Sequence, residues 1–164
     1  RGAPLLARLR SAHSRIEELI VVFLWLARHD RPEGEMRRES ARDVVARVVQ
    51  TLEQQEGRPL HGLQITVVGT HEVVHVPPLA DIVVRNLLHN ALRHGVGGAI
   101  TVEIAPDAIL IENLEPADDE PSTRDHGFGQ SIVDDLCRRF GWQVTFERRA
   151  GRYSARLTTR STKS

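Results

Sequence analysis

What this 164-residue chain lacks constrains it before anything it contains. It has a single cysteine, Cys137, so no internal disulfide can form, which fits a reducing compartment. It has no excess of either charge: 22 Lys and Arg stand against 22 Asp and Glu. A chain built to grip nucleic acid normally carries a basic surplus, so nucleic acid is not an expected partner. Its longest apolar run, LIVVFLWLA from Leu19 to Ala27, falls well short of the ~20 residues that span a bilayer, and no membrane contact is expected from these residues. Internal repeats and low-complexity tracts are absent, as are an initial Met and a signal-peptide plan, so the expectation is a fragment of a longer protein. With 40% apolar and 27% charged residues, the composition is that of an ordinary soluble globular chain. The length suits one compact domain of ~100–150 residues and an appendage.

The appendage comes first. From Pro4 to His29, Leu5, Leu9, Ile16, Leu19, Ile20, Phe23, Leu24 and Leu26 recur at helical spacing, which predicts one amphipathic helix. Its apolar stripe needs a partner helix, from the parent protein or a second chain. The polar stretch HDRPEGE follows as a linker, placing the helical piece at 1–30, the linker at 31–37 and the main domain at 38–160, with a tail at 161–164.

In the main domain, Ser40 is positioned to cap a helix over about 41–55, with Val44, Val45, Val48, Val49 and Leu52 on its inner face. A β-branched strand is predicted at 64–68. The next helix starts at Pro77 and Pro78 and carries Leu79, Ile82, Val83, Leu87, Leu88 and Leu92 to Gly95. Strands at 99–104 and 109–113 follow, then an acidic, Pro-containing loop from Leu114 to His126. A helix over 130–140 and a hairpin of strands 142–148 and 153–159 around Ala150 and Gly151 close the domain. The expected fold class is α+β: a two-layer α/β sandwich, one sheet with helices on one face.

His71-Glu72-Val73-Val74-His75 spells the H-E-x-x-H of a zinc protease. That chemistry needs a helix, where residues four apart share a face and two imidazoles reach one metal. Here the neighbourhood is β-branched and broken by Gly69 and by two prolines. In a strand the two His would sit ~13 Å apart at the usual rise per residue, too far for one zinc. A short polar strand or loop is expected instead.

The chemistry-bearing segment is DIVVRNLLHNALRHG, residues 81–95. Asn86 and Asn90, four apart, share a helix face, with Arg93 one turn beyond and the leucines opposite. Two amides and a guanidinium on one strip suit a Mg²⁺ and polyphosphate platform, since Mg²⁺ takes hard oxygen ligands and keeps most of its waters. A plain solvated polar face fits the same spacing. Gly127-Phe128-Gly129, before a helix N-terminus, allows backbone N–H groups to approach phosphate.

HNALRHG, a central strand ending IleGluAsn, an acidic loop, HGFGQSIV and the closing GRYSARL together resemble the ATP-binding catalytic domain of bacterial sensor histidine kinases, in the superfamily of gyrase, Hsp90, histidine kinases and MutL. The resemblance runs from Arg37 to about Thr159, and the leading helix looks like the second helix of the dimerisation and phosphoacceptor domain of such kinases. It implies ATP and Mg²⁺ as ligands, with Asn90 coordinating Mg²⁺, Asn86 supporting it and Arg93 contacting phosphate. His94 would take the place of an aromatic residue that packs on adenine. Gly127, Phe128 and Gly129 would form the glycine box, and residues 114–126 the lid.

Two departures stand out. Where the family has Asp-x-Gly-x-Gly, this chain reads Asn113-Leu114-Glu115-Pro116, so a neutral amide replaces the carboxylate that accepts from the adenine amino group. Gln130 replaces a usual Leu. The family's phosphorylated His has no counterpart, because His13 and His29 lie in different contexts. The implied function is MgATP binding for phosphoryl transfer to a His outside this chain and on to a response regulator. The parent would be a homodimeric inner-membrane sensor kinase with this portion on the cytoplasmic side. The alternative is a degenerate pseudokinase scaffold that docks partners. An anti-sigma-factor serine kinase fits less well, since those lack a leading bundle helix.

Overall fold

The structure is a computed structural model that describes residues 36–75, 78–94, 99–114, 128–149 and 151–159, together with Ile20 and Ala27. By its internal contacts the chain divides into two compact units, residues 1–35 and 36–164. In the first, Ile20 and Ala27 are helical, and the remainder of the anticipated helix over 4–29 lies outside the described residues, as do the linker at 31–35 and the tail.

The second unit runs β1 (Arg37–Ser40), α1 (Ala41–Glu56), β2 (Leu63–Val67), β3 (Glu72–His75), α2 (Leu79–His94), β4 (Ile100–Ile104), β5 (Ala108–Leu114), α3 (Phe128–Arg139), β6 (Gln143–Arg149) and β7 (Arg152–Thr158). Five strands form one mixed sheet in the order β2-β4-β5-β7-β6, parallel between β2 and β4 and antiparallel elsewhere. β1 and β3 pair as a separate antiparallel ribbon. This is the anticipated α+β sandwich.

The period of two along each strand decides which face is covered. In β4, Ile100, Val102 and Ile104 are buried while Thr101 and Glu103 are exposed. Register carries that division across the sheet: Val102 lies opposite Ile111, and Ile111 opposite Ala155. Ile104, Ile109 and Leu157 form the next buried row, and Ile100, Asn113 and Tyr153 the one beyond. Against this face α2 packs on β5 and α3 on β6, while α1 packs on α2. The helices contribute Val44, Val45, Val48 and Leu52 from α1 and Leu79, Val83, Leu87, Leu88 and Ala91 from α2. Gly151, at φ 73°, allows the tight turn between Arg149 and Arg152.

Three local expectations are corrected. Ser40 precedes α1 with extended dihedrals, φ −64° and ψ 132°, but its side chain makes no capping bond. The Ala41 N–H donates instead to the His71 carbonyl at 2.8 Å, so a tertiary contact satisfies the helix's first orphan donor. β1 reads RRES, charged and without alternation, so no strand signal stands in these residues; the pairing Arg37 to His75 through Ser40 to Glu72 creates the strand. α3 begins at Phe128, two residues before its expected start.

The β1–β3 ribbon is tied to both α1 and α2 by charge. Arg47 on α1 donates from Nη2 to Glu39 Oε2 at 2.8 Å and from Nε and Nη2 to Asp81 Oδ1 at 3.0 and 2.8 Å, at the first turn of α2. His75 Nε2 lies 3.2 Å from Glu39 Oε2. The Arg47 hydrogen bond leads the influences that hold the Glu39 carboxyl below its ordinary value, with His75 adding to it. A carboxyl depressed on folding stabilises the native state above its unfolded value and loses that contribution as pH falls through the folded one. Thermal melts at successive pH values below about 4.5 should therefore fall less steeply for Glu39→Gln than for the parent chain. Parallel slopes would remove Glu39 from the account of acid lability.

Candidate functional site

The H-E-x-x-H spelling is settled by backbone. Glu72–His75 is a strand, so the helical face that a zinc pair requires does not exist. The stretch is the short strand expected, but both imidazoles are buried, His71 at 4% and His75 at 1% exposure, which the polar sequence did not suggest. His71 bridges the sheet ends, with Nδ1 at 2.8 Å from the Ala105 carbonyl and Nε2 at 2.7 Å from Thr159 Oγ1. Both ring nitrogens are thus engaged in tertiary structure. Among the described residues no cluster of three or more His, Cys, Asp or Glu is placed to hold a metal. Burial pushes the Cys137 thiol up to about 12, with Asp134 adding to the effect, so it is no nucleophile near neutral pH.

α2 carries the other group. Leu87, Leu88 and Ala91 are buried, each at 1% exposure or less, which turns the strip bearing Asn86 and Asn90 away from the core centre, half-buried. Asn90 Nδ2 donates to Asn86 Oδ1 at 3.5 Å, at the outer limit of a hydrogen bond. That orientation uses the Asn90 NH₂ and leaves its carbonyl oxygen out of the pair. An amide oxygen is the hard, neutral donor that Mg²⁺ accepts alongside water and phosphate oxygens. The donor set therefore fits a weakly protein-bound Mg²⁺ and not a dedicated protein cage. Arg93 and His94 close the last turn of α2, and their side chains lie outside the described residues.

Asn113 sits near the end of β5, on the helix-covered side of the sheet, between Ile100 of β4 and Tyr153 of β7. It is 3% exposed. Its Nδ2 donates to the Leu114 carbonyl at 3.4 Å, and its Oδ1 has no hydrogen-bond partner. Native proteins rarely leave a buried polar atom unmatched, so this oxygen is a candidate acceptor for a group that the described residues do not supply.

Beside it, Tyr153 is the chain's one tyrosine and is buried at 4% exposure. Its ring stacks on Phe146 with centroids 6.3 Å apart, and the Arg148 guanidinium lies 5.6 Å from its centre. Gln130, in the first turn of α3, donates from Nε2 to the Tyr153 hydroxyl at 3.1 Å. Sequence reasoning marked Gln130 only as a departure and missed Tyr153. Neither could be paired without knowing that β7 lies next to β5, 23 residues along the chain from Gln130.

Leu114 corrects the lid boundary. It is the last residue of β5, paired with Arg152 and 49% exposed, so a lid would begin no earlier than residue 115. Residues 115–127, which include Gly127, lie outside the described residues, as do the side chain of Phe128 and the surroundings of Gly129, although both residues are in α3.

No protein-family model matches the chain, and no curated protein matches it in sequence. Solved structures do match in shape. The cytoplasmic segment of histidine kinase QseC superposes with a TM-score of 0.68 at 21% identity, covering 89% of this chain and 93% of that one. The Acinetobacter baumannii histidine kinase AdeS gives 0.63 at 15% identity, over 97% of this chain and 84% of that one. The ATP-binding domain of PrrB from Mycobacterium tuberculosis gives 0.52 at 17%, covering 77% and 99%. A mixed five-stranded sheet with helices on one face, an amide pair on α2 and a buried amide at the end of β5 are thus set on the fold of the histidine-kinase ATP-binding catalytic domain.

Proposed function

We propose that this chain is the ATP-binding catalytic portion of a two-component sensor histidine kinase, binding MgATP for phosphoryl transfer to a histidine that lies outside it. The observation that carries the reading is the Asn86–Asn90 pair, aligned on α2 with one amide oxygen left out of the pair, on a fold shared with histidine kinases. Asn90 would hold Mg²⁺ through that oxygen and Asn86 would fix its rotamer by accepting from its NH₂. Bound Mg²⁺ would supply neutralisation of charge on the triphosphate. Phosphoryl transfer asks a protein mostly for positioning and electrostatics, which is what amides, a guanidinium and backbone N–H groups offer.

Arg93, one turn along α2, would pair with phosphate, and His94 would pack against the base. Gly127, Phe128 and Gly129 would bring the start of α3 to the phosphates, beneath a lid of residues 115–126. The buried Asn113 oxygen would accept from the exocyclic amine of adenine. Residues 1–30 would supply the second helix of a dimerisation bundle, followed by a linker that ends before β1 and by the catalytic domain to about residue 160. The parent would act as a homodimer, pass its phosphoryl group to a response regulator and keep this portion on the cytoplasmic side of the inner membrane. Among the described residues no helix is long and apolar enough to cross a membrane. Since no residue here reads as the phosphoacceptor His, the chain alone should not autophosphorylate.

Isothermal titration of ATP into the chain, with and without Mg²⁺, tests the proposal. Micromolar affinity that depends on Mg²⁺ is the expected result. Absence of heat and of thermal stabilisation at millimolar nucleotide would overturn it and leave a scaffold that docks partners.

A further inference from the structure

Among the described residues, two buried side-chain polar atoms have no hydrogen-bond partner, His75 Nδ1 and Asn113 Oδ1. His75 is anchored through its other nitrogen to Glu39 in the β1–β3 ribbon, within a charge network already accounted for by Arg47 and Asp81. Asn113 is different, because nothing in its row of the sheet competes for it. Ile100 on one side is apolar, and the Tyr153 hydroxyl on the other, which accepts from Gln130, makes no hydrogen bond to Asn113 Oδ1.

Resting on the nucleotide-binding reading above, we infer that Asn113 makes the base subsite accept purine nucleoside triphosphates carrying either a 6-amino or a 6-oxo group. A carboxylate only accepts hydrogen bonds, so at this position it would welcome an exocyclic amine and oppose a carbonyl. A carboxamide carries an acceptor and a donor on one rotor, and a half-turn exchanges them with almost no change of shape. In the present orientation Oδ1 is the unmatched atom and suits an amine. The opposite orientation presents NH₂ and suits a 6-oxo group.

The half-turn gives up little. The bond that holds the present orientation, Nδ2 to the Leu114 carbonyl, is 3.4 Å long, well beyond the ~2.9–3.0 Å typical of N–H···O. After rotation Oδ1 faces that carbonyl, a modest opposition beside the new bond gained. Discrimination between the two base types should therefore be small. A tenfold ratio corresponds to ~1.4 kcal/mol, about what one net hydrogen bond contributes.

The test is titration of ATP and of ITP, each with Mg²⁺, into the parent chain and into Asn113→Asp. ITP differs from ATP at the 6-position and the adjoining N1 and lacks the extra 2-amino group of GTP. We expect ITP to bind the parent chain within about tenfold of ATP, and Asn113→Asp to widen the ratio to about 100-fold in favour of ATP. If the parent chain binds ATP but binds ITP 100-fold or more weakly, the inference is overturned. The parent-chain ratio decides the matter even if the variant does not fold. Failure of both nucleotides at millimolar concentration would instead sink the nucleotide-binding reading itself, and this inference with it.

Discussion

Asn90→Ala should lower MgATP affinity by roughly 100-fold or more, equivalent to ~2.7 kcal/mol, while leaving the thermal midpoint without nucleotide nearly unchanged. The asymmetry follows from where the side chain sits. Asn90 is half-buried on the outer strip of α2, and its one described bond is the 3.5 Å contact with Asn86, so its removal takes little from the folded state. Alanine is also a better helix former than asparagine, which offsets part of the loss. Its carbonyl oxygen, by contrast, is the candidate inner ligand for Mg²⁺, and no cluster of carboxylates or imidazoles among the described residues stands by to replace it. Titration of ATP with Mg²⁺, paired with a melt of the same variant, reads both quantities. Unchanged affinity would remove Asn90 from the site.

Leu87→Ala should do the reverse. Leu87 is 1% exposed on the inner side of α2, adjacent in sequence to Asn86. Truncating a buried leucine removes its transfer free energy and leaves a cavity, together ~2–5 kcal/mol. For a unit of this size a loss of ~3 kcal/mol lowers the thermal midpoint by about 10 °C. Because Leu87 shares α2 with the amide pair, the loosened helix should also weaken MgATP binding, by less than the Asn90 variant does. A melt of the variant with and without MgATP checks both effects. A midpoint within 2 °C of the parent, a margin of roughly 0.5 kcal/mol for a unit of this size, would mean that α2 does not depend on this contact.

Much of the layered fold was readable along the chain because its long elements are strongly patterned. α2 shows apolar positions at helical spacing, and β4 and β5 show β-branched runs bounded by turns, so the observed boundaries fall within a residue or two of the expected ones. The same spacing put Asn86 and Asn90 on one face, since three to four residues per turn is a local property. β1 was not readable, because a four-residue charged strand owes its existence to partners 32 to 38 residues away. The H-E-x-x-H spelling shows what residue types alone leave out, although its β-branched neighbourhood had already pointed away from a helix. Its residue types suit zinc, but its backbone follows from pairing with β1, and the two His become packing residues.

The class of the fold, the helix that carries the amide pair, and the presence of an amide at Asn113 were legible along the chain, because these depend on local periodicity and residue identity. The burial of Asn113 with an unmatched oxygen, the reach of Gln130 to Tyr153, and the joining of Glu39, Arg47, His75 and Asp81 into one network came from the folded arrangement alone. Each of these joins residues from different elements, and their meeting depends on strand order and register. Such long-range pairings are stabilised by burial and hydrogen bonding across the whole sheet, and no short window of sequence carries them.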